Sequence, residues 1–133
     1  MNKLISHYML VVEDEPIISE KIVKKLTDFI DSKKIKLANT VAGSLDLLDT
    51  CKFNIIILDL NLNDGNGITI LNKVKEDHLK SLVYVFSINS ELKNICLKKG
   101  ATAFFDKSKD FDDLISTVKT AYQNIFNESD SVQ

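Results

Sequence analysis

Three acidic side chains follow directly on apolar segments of the sequence. Asp59 comes after the run Ile55-Ile56-Ile57-Leu58, and Glu13 and Asp14 come after Tyr8-Met9-Leu10-Val11-Val12. Unbroken apolar runs of this kind are typical of strands that are buried on both faces of a parallel sheet. A carboxylate at the end of such a strand is solvated only where the strand stops and opens into a cleft. Asp59 is therefore either an active group or an aspartate that begins a turn, and the turn is the more frequent role.

Two further polar side chains follow apolar segments later in the chain. Ser87 comes after Leu82-Val83-Tyr84-Val85-Phe86, and Lys107 comes shortly after Thr102-Ala103-Phe104-Phe105. Taken alone, such a serine is usually a helix cap and such a lysine usually protects a sheet edge. Carboxylates that share a crevice repel one another, and their hard oxygens suit Mg²⁺. With a hydroxyl and an ammonium nearby, the set provides what phosphoryl transfer to a carboxylate needs.

The placement of these residues depends on strands that alternate with helices. An alternating polar and apolar segment over residues 34–40 predicts a strand at a sheet edge. Apolar residues at helical spacing predict five helices. The first begins at Pro16, the second has Ser44 as its N-cap, and the others cover roughly residues 68–74, 92–96 and 111–125.

Five strands alternating with five helices predict an α/β fold with a doubly wound parallel sheet and helices on both faces. The first, third and fourth strands are apolar throughout and belong in the middle, whereas the second and fifth belong at the edges. With right-handed crossovers this gives the flavodoxin-like order 2-1-3-4-5. The winding then reverses between strands 1 and 3, and we expect the binding crevice beyond their carboxyl ends, where Glu13, Asp14 and Asp59 lie.

Length and composition agree with a small cytoplasmic domain. The 133 residues predict a single domain, with a core over about 8–126 and a polar, frayed tail over 127–133. No segment has the length and apolar character of a membrane span, and the start shows no signal-peptide pattern. All the basic residues are lysines and the formal net charge is −2, which argues against nucleic-acid binding within this chain.

The chain resembles a receiver domain of a two-component response regulator from about residue 8 to residue 126. Four segments carry the resemblance. They are Val11-Val12-Glu13-Asp14-Glu15-Pro16, Ile57-Leu58-Asp59 with Gly67 eight residues later, Phe86-Ser87, and Phe104-Phe105-Asp106-Lys107. The resemblance implies a phosphorylated signalling domain of a phosphorelay rather than an enzyme.

The resemblance also implies a role for each matching residue near the acidic cluster. Asp59 would be the phosphoacceptor, taking a phosphoryl group from a sensor histidine kinase or a histidine phosphotransfer protein. Asp14 would bind Mg²⁺ directly and Glu13 through water, while Asn61 would give its main-chain carbonyl to the metal.

Three more residues receive roles from the resemblance. Ser87 and Lys107 would hold phosphoryl oxygens, and Phe104 would change rotamer when Ser87 is drawn inward. An ordinary hydrophobic plug on an edge strand is an equal alternative for Phe104.

The resemblance implies that phosphorylation changes protein contacts through the surface of helix 4, strand 5 and helix 5. The protein would act as a monomer or a phosphorylation-dependent dimer. Its partner would be a downstream protein that the sequence does not identify.

The sequence departs from the pattern of receiver domains at three positions. Asn63 and Ser108 stand where prolines are usual, so the loop after strand 3 is expected to be more flexible and a cis peptide bond before Ser108 is left open. Ile88 follows Ser87 where a small residue is usual. We expect its branched side chain to crowd the phosphoryl pocket and to slow both labelling and loss of phosphate.

Two other functions fit parts of the same pattern. A haloacid-dehalogenase-type phosphatase also uses an aspartate nucleophile and Mg²⁺, but it needs a second aspartate two residues later, where this chain has Asn61. A flavodoxin-type module needs a phosphate-binding loop after strand 1, and Glu13-Asp14-Glu15 would repel a phosphate.

Overall fold

In the computed structural model, which describes residues 5–131, five parallel strands form one sheet. The strands are β1 Ile5–Val12, β2 Ile35–Ala38, β3 Cys51–Leu58, β4 Leu82–Ser87 and β5 Ala103–Asp106. Their order is β2-β1-β3-β4-β5, and every neighbouring pair is parallel. This confirms the predicted topology.

Helices cover both faces of the sheet because the side chains of its central strands alternate between two apolar cores. Along β3, Ile56 and Leu58 enter one core and Ile55 and Ile57 enter the other. The helices are α1 Pro16–Leu26, α2 Val41–Thr50, α3 Ile68–Glu76, α4 Lys93–Lys98 and α5 Phe111–Ser131. The first core contains buried residues of α2, α3 and α4, and the second contains buried residues of α1 and α5.

The start of α2 differs from the prediction that Ser44 is its N-cap. The cap is Thr40, which has an extended backbone and whose hydroxyl accepts a hydrogen bond from the Gly43 N–H at 2.9 Å. Ser44 lies inside the helix, fully buried, and its hydroxyl donates to the Thr40 carbonyl at 2.7 Å. Because the Ser44 hydroxyl is bonded to the preceding turn, it does not cap the helix, and Thr40 takes this role.

The outer elements of the described chain reach close to its two ends. β1 begins at Ile5 because this residue already pairs with Cys51 of β3. α5 continues to Ser131, and the polar tail over 127–133 stays a prediction. No glycine or proline interrupts α5, so nothing in its sequence ends the helix earlier. Residues 1–4 and 132–133 lie outside the described part.

A short hairpin follows β3 and was not predicted. Asn61–Leu62 pairs antiparallel with Gly65–Asn66, and Gly65 has a positive φ of 156°. The hairpin lies between the acidic end of β3 and the start of α3, so it adjoins the predicted crevice. None of the helices within residues 5–131 has the length and apolar character needed to cross a bilayer.

Candidate functional site

Backbone pairing at the carboxyl ends of β1 and β3 brings the acidic residues together. Val12 faces Leu58 in the sheet, and one residue further the Asp59 N–H donates to the Val12 carbonyl at 3.0 Å. Glu13 and Asp14 follow at once on the neighbouring strand. Glu13, Asp14 and Asp59 each offer a carboxylate oxygen, and these three oxygens lie within 4.8 Å of one another.

One cation compensates this cluster. Lys107 Nζ lies 3.0 Å from Glu13 Oε1 and 3.1 Å from Asp59 Oδ2. The side chains are almost completely buried, with exposed fractions of 8% for Lys107, 1% for Glu13 and 2% for Asp59. Glu15 lies 3.6 Å from the same ammonium but is largely exposed. Glu15 was not among the predicted metal ligands, although it directly follows two of them.

The two ionisable partners at the centre of the site have shifted pKa values. Burial raises the pKa of Glu13 to about 7, and the negative charge of Asp59 adds to the rise although the hydrogen bond from Lys107 opposes it. For Lys107, burial alone would lower the pKa. The hydrogen bond to Glu13 and the charge of Asp59 outweigh burial and raise the pKa of Lys107 above its ordinary value.

The carboxylate of Asp59 has one satisfied and one available oxygen. Oδ1 accepts a hydrogen bond from the Asn61 N–H at 3.1 Å. Oδ2 is buried and, apart from the ion pair with Lys107, has no hydrogen bond to any group in the described part of the chain. An anionic oxygen in this position suits a metal ion or an electrophile. Together with Glu13 and Asp14 it forms the hard oxygen set that Mg²⁺ prefers.

Ser87 and Lys107 are joined through the backbone at the ends of β4 and β5. Ser87 pairs with Asp106, and the Lys107 N–H donates to the Ser87 carbonyl at 3.0 Å. The Ser87 side chain is fully buried, and its hydroxyl accepts a hydrogen bond from the Asn89 N–H at 3.0 Å. Phe104 pairs with Val85 and is partly buried against the core formed with α2, α3 and α4. This position agrees with either of the two predicted roles of Phe104.

A side-chain bridge that the sequence analysis missed spans the loops after β3 and β4. Asn61 Nδ2 donates to Asn89 Oδ1 at 2.7 Å. The partly buried Asn89, two residues after Ser87, is a weak sequence signal because any loop can carry an asparagine there. Ile88, which stands between Ser87 and Asn89 in the sequence, has 62% of its surface exposed.

The peptide bond before Ser108 is trans, since residues 5–131 contain no cis peptide. The Asp106 carboxylate holds this turn, with Oδ1 accepting hydrogen bonds from the Ser108 N–H at 2.8 Å and the Ser108 hydroxyl at 2.6 Å. Its other oxygen accepts from the Ser90 hydroxyl at 3.1 Å. These hydrogen bonds lower the pKa of Asp106.

Comparison with known sequences assigns the chain to a family. Residues 9–119 match the family described as the response regulator receiver domain. The nitrate/nitrite response regulator protein NarL of Escherichia coli K12 is 24% identical over 115 residues, which is 85% of this chain and 53% of that protein. The chain therefore spans about half the length of such curated relatives.

Solved structures agree on the fold. The receiver domain of the Francisella response regulator 1452 superposes with a TM-score of 0.79 at 24% identity, covering 90% of this chain and 98% of that one. The response regulator TrrA from Thermotoga maritima, determined in complex with Mg²⁺-BeF, gives a TM-score of 0.72 at 20% identity, covering 86% and 98%. With the family match over most of its length, the chain belongs to the response regulator receiver domains.

Proposed function

We propose that Asp59 accepts a phosphoryl group from the phosphohistidine of a sensor histidine kinase or a histidine phosphotransfer protein. The observation that carries this proposal is the buried Oδ2 of Asp59, which forms an ion pair with Lys107 and otherwise has no hydrogen bond in the described part of the chain. In the reaction this oxygen attacks phosphorus. The new P–O bond forms as the P–N bond breaks, and the bonding electrons stay with the imidazole nitrogen.

The residues beside Asp59 suit a bound Mg²⁺. Asp14 and Asp59 would hold the ion directly, Glu13 would hold it through water, and Asn61 would provide its main-chain carbonyl. The cluster of three carboxylate oxygens within 4.8 Å supports this set. When bound, Mg²⁺ neutralises negative charge on the transferring phosphoryl oxygens.

Ser87 and Lys107 would bind the transferred phosphoryl group. The Lys107 ammonium already lies 3.1 Å from Asp59 Oδ2, so it can reach an oxygen attached there. The Ser87 hydroxyl accepts its hydrogen bond from Asn89 and keeps its own proton free to donate to a phosphoryl oxygen.

Movement of Ser87 would be read out on the surface of α4, β5 and α5. Phe104 on β5 would change rotamer with Ser87 and alter this surface, which would bind a downstream protein. We propose that the 133 residues act as a single receiver domain in the cytoplasm, as a monomer or a phosphorylation-dependent dimer, and contact neither nucleic acid nor membrane.

Mg²⁺-dependent labelling tests the proposal. Purified protein is incubated with acetyl phosphate or beryllofluoride, with Mg²⁺ or with a chelator, and the adduct is counted by intact-protein mass spectrometry or ¹⁹F NMR. We expect one adduct per chain with Mg²⁺, none in Asp59→Asn, and normal labelling in the control Asp46→Asn, whose residue is exposed on α2. Labelling of Asp59→Asn, or steady turnover of a phosphatase substrate without a stoichiometric adduct, would reject the proposal.

A further inference from the structure

Asp64 ties the hairpin after β3 to the start of α2. Its Oδ1 accepts a hydrogen bond from the Val41 N–H at 2.7 Å, and its Oδ2 accepts one from the Ala42 N–H at 3.0 Å. The two partners precede Asp64 by 23 and 22 residues, so the carboxylate joins separate segments of the chain.

The first N–H groups of a helix have no partner within the helix, and a carboxylate there forms charge-assisted hydrogen bonds. In α2 two side chains accept hydrogen bonds from these N–H groups. Thr40 accepts from the Gly43 N–H, and Asp64 accepts from the N–H groups of Val41 and Ala42. The backbone hydrogen bonds lower the pKa of Asp64, which is therefore ionised at neutral pH.

Side-chain hydrogen bonds hold both ends of the hairpin that carries Asp64, since Asn61 donates to Asn89 and Asn66 accepts from the Ile68 N–H. The bonds from Asp64 add a link from its turn to α2. Asn61, Asn63, Gly65 and Asn66 are exposed, and Leu62 is the buried apolar contact of the hairpin. Asn63 lacks the ring with which a proline at this position would fix the φ angle. On the side toward α2, a Cβ at Gly65 would lie 3.4 Å from Val41 Cγ2, so the hairpin already approaches the helix closely at this point.

The same hairpin contributes to the acidic site. Asn61, three residues before Asp64, donates its N–H to Asp59 Oδ1 at 3.1 Å. Its carbonyl belongs to the metal-binding set proposed above. Because Asn61 pairs with Asn66 and Leu62 with Gly65, Asp64 lies in the turn that joins the two paired segments. A restraint on this turn is passed to Asn61 through two short paired segments.

We propose that Asp64 is a positioning residue for the metal site. By binding the start of α2 it fixes the hairpin, and thereby holds the Asn61 carbonyl beside Asp59. This inference rests on the proposed function, because it assumes that the acidic cluster binds Mg²⁺.

Mg²⁺ binding to two variants separates this role from simple stabilisation of α2. Asp64→Ala removes the link between hairpin and helix, whereas the matched control Thr40→Ala removes a cap from the same helix end and leaves the hairpin bound. We measure the Kd for Mg²⁺ alone by isothermal titration calorimetry and the urea midpoint of each protein. Loss of groups that orient metal ligands weakens binding about 10–100-fold, and we expect about tenfold for Asp64→Ala. Thr40→Ala should stay within about twofold of the wild type, while both variants lower the urea midpoint.

Each outcome decides the question. A wild-type Kd in Asp64→Ala, or an equal weakening in Thr40→Ala, would overturn the inference and leave the proposed function intact. No Mg²⁺ binding by the wild type would overturn both. If Asp64→Ala does not fold, Asp64→Asn replaces it. Its single amide oxygen keeps one of the two hydrogen bonds, so we expect a weakening of about threefold, and an unchanged Kd would count against the inference.

Discussion

Replacing Lys107 by methionine tests how far the acidic site depends on one cation. The ammonium lies 3.0 Å from Glu13 and 3.1 Å from Asp59, and both carboxylates are almost completely buried. Methionine is close to lysine in length and removes the charge. The variant therefore leaves two buried carboxylates without a counter-charge and changes little else.

The cost follows from the loss of this pairing. Removing one partner of a buried ion pair typically costs about 3–5 kcal/mol. Glu13 can limit the cost by taking up a proton, because its pKa is already raised from 4.5 to about 7. With a raised pKa, the folded state binds more protons than the unfolded state between these values, so stability falls as pH rises through this window.

Loss of Lys107 removes a group that lowers the pKa of Glu13 and so moves the upper end of that window to higher pH. At pH 6 Glu13 is mostly protonated in both proteins. At pH 8, Glu13 of the variant must either keep its proton or carry a buried negative charge that no cation compensates. We therefore expect Lys107→Met to lose about 3 kcal/mol at pH 8 and about 1 kcal/mol less at pH 6.

Urea unfolding followed by circular dichroism, in a chelator at both pH values, measures these differences. Mg²⁺ would bind the same carboxylates, so its addition should reduce the difference in the free energy of unfolding between variant and wild type. Lys119→Met is the control, since Lys119 is exposed on α5 and has no ion pair among those found in the described residues. Equal stability of Lys107→Met and wild type at pH 8 without Mg²⁺ would refute the reasoning.

Two further substitutions test the walls of the site. In Gly67→Ala the new Cβ would clash with the backbone oxygen of Asp59, which cannot move without shifting the strand end. We expect a loss of about 1–3 kcal/mol in urea unfolding, and a wild-type midpoint would contradict this close approach. In Ile88→Ala, removal of an exposed branched side chain next to Ser87 should speed both labelling by acetyl phosphate and loss of the phosphate, as followed by mass spectrometry. Unchanged rates would show that Ile88 does not restrict access.

The sheet and the acidic cluster could be predicted because one pattern determines both. Apolar runs such as Ile55–Leu58 require burial on both faces, and this places β3 in the centre of a parallel sheet. Parallel strands end at the same edge of the sheet. Residues that directly follow them, such as Asp59 and Glu13, therefore lie close together whatever path the loops take. The chemistry of the site thus depends on strand order, which local sequence determines well.

The contacts that involve loops could not be predicted in the same way. Thr40 and Ser44 are both good caps by residue type, and only the backbone path decides that Thr40 takes the role. The bonds from Asp64 to α2 and from Asn61 to Asn89 join residues more than twenty positions apart. Their formation depends on how the loops cross the sheet edge, which the spacing of residues does not encode.

The charges of the site connect its stability with its proposed chemistry. Among the described residues, the carboxylates of Glu13, Asp14 and Asp59 face the ammonium of Lys107, and when these four groups are ionised an excess of two negative charges remains. Burial raises the pKa of Glu13 and the negative charge of Asp59 adds to the rise, so an ionised Glu13 is costly in this place. A divalent cation offsets the excess charge, whereas phosphorylation of Asp59 would replace one negative charge by about two. The acidic cluster therefore weakens the metal-free fold for the same reason that it suits Mg²⁺ and, with Mg²⁺, a phosphoryl group.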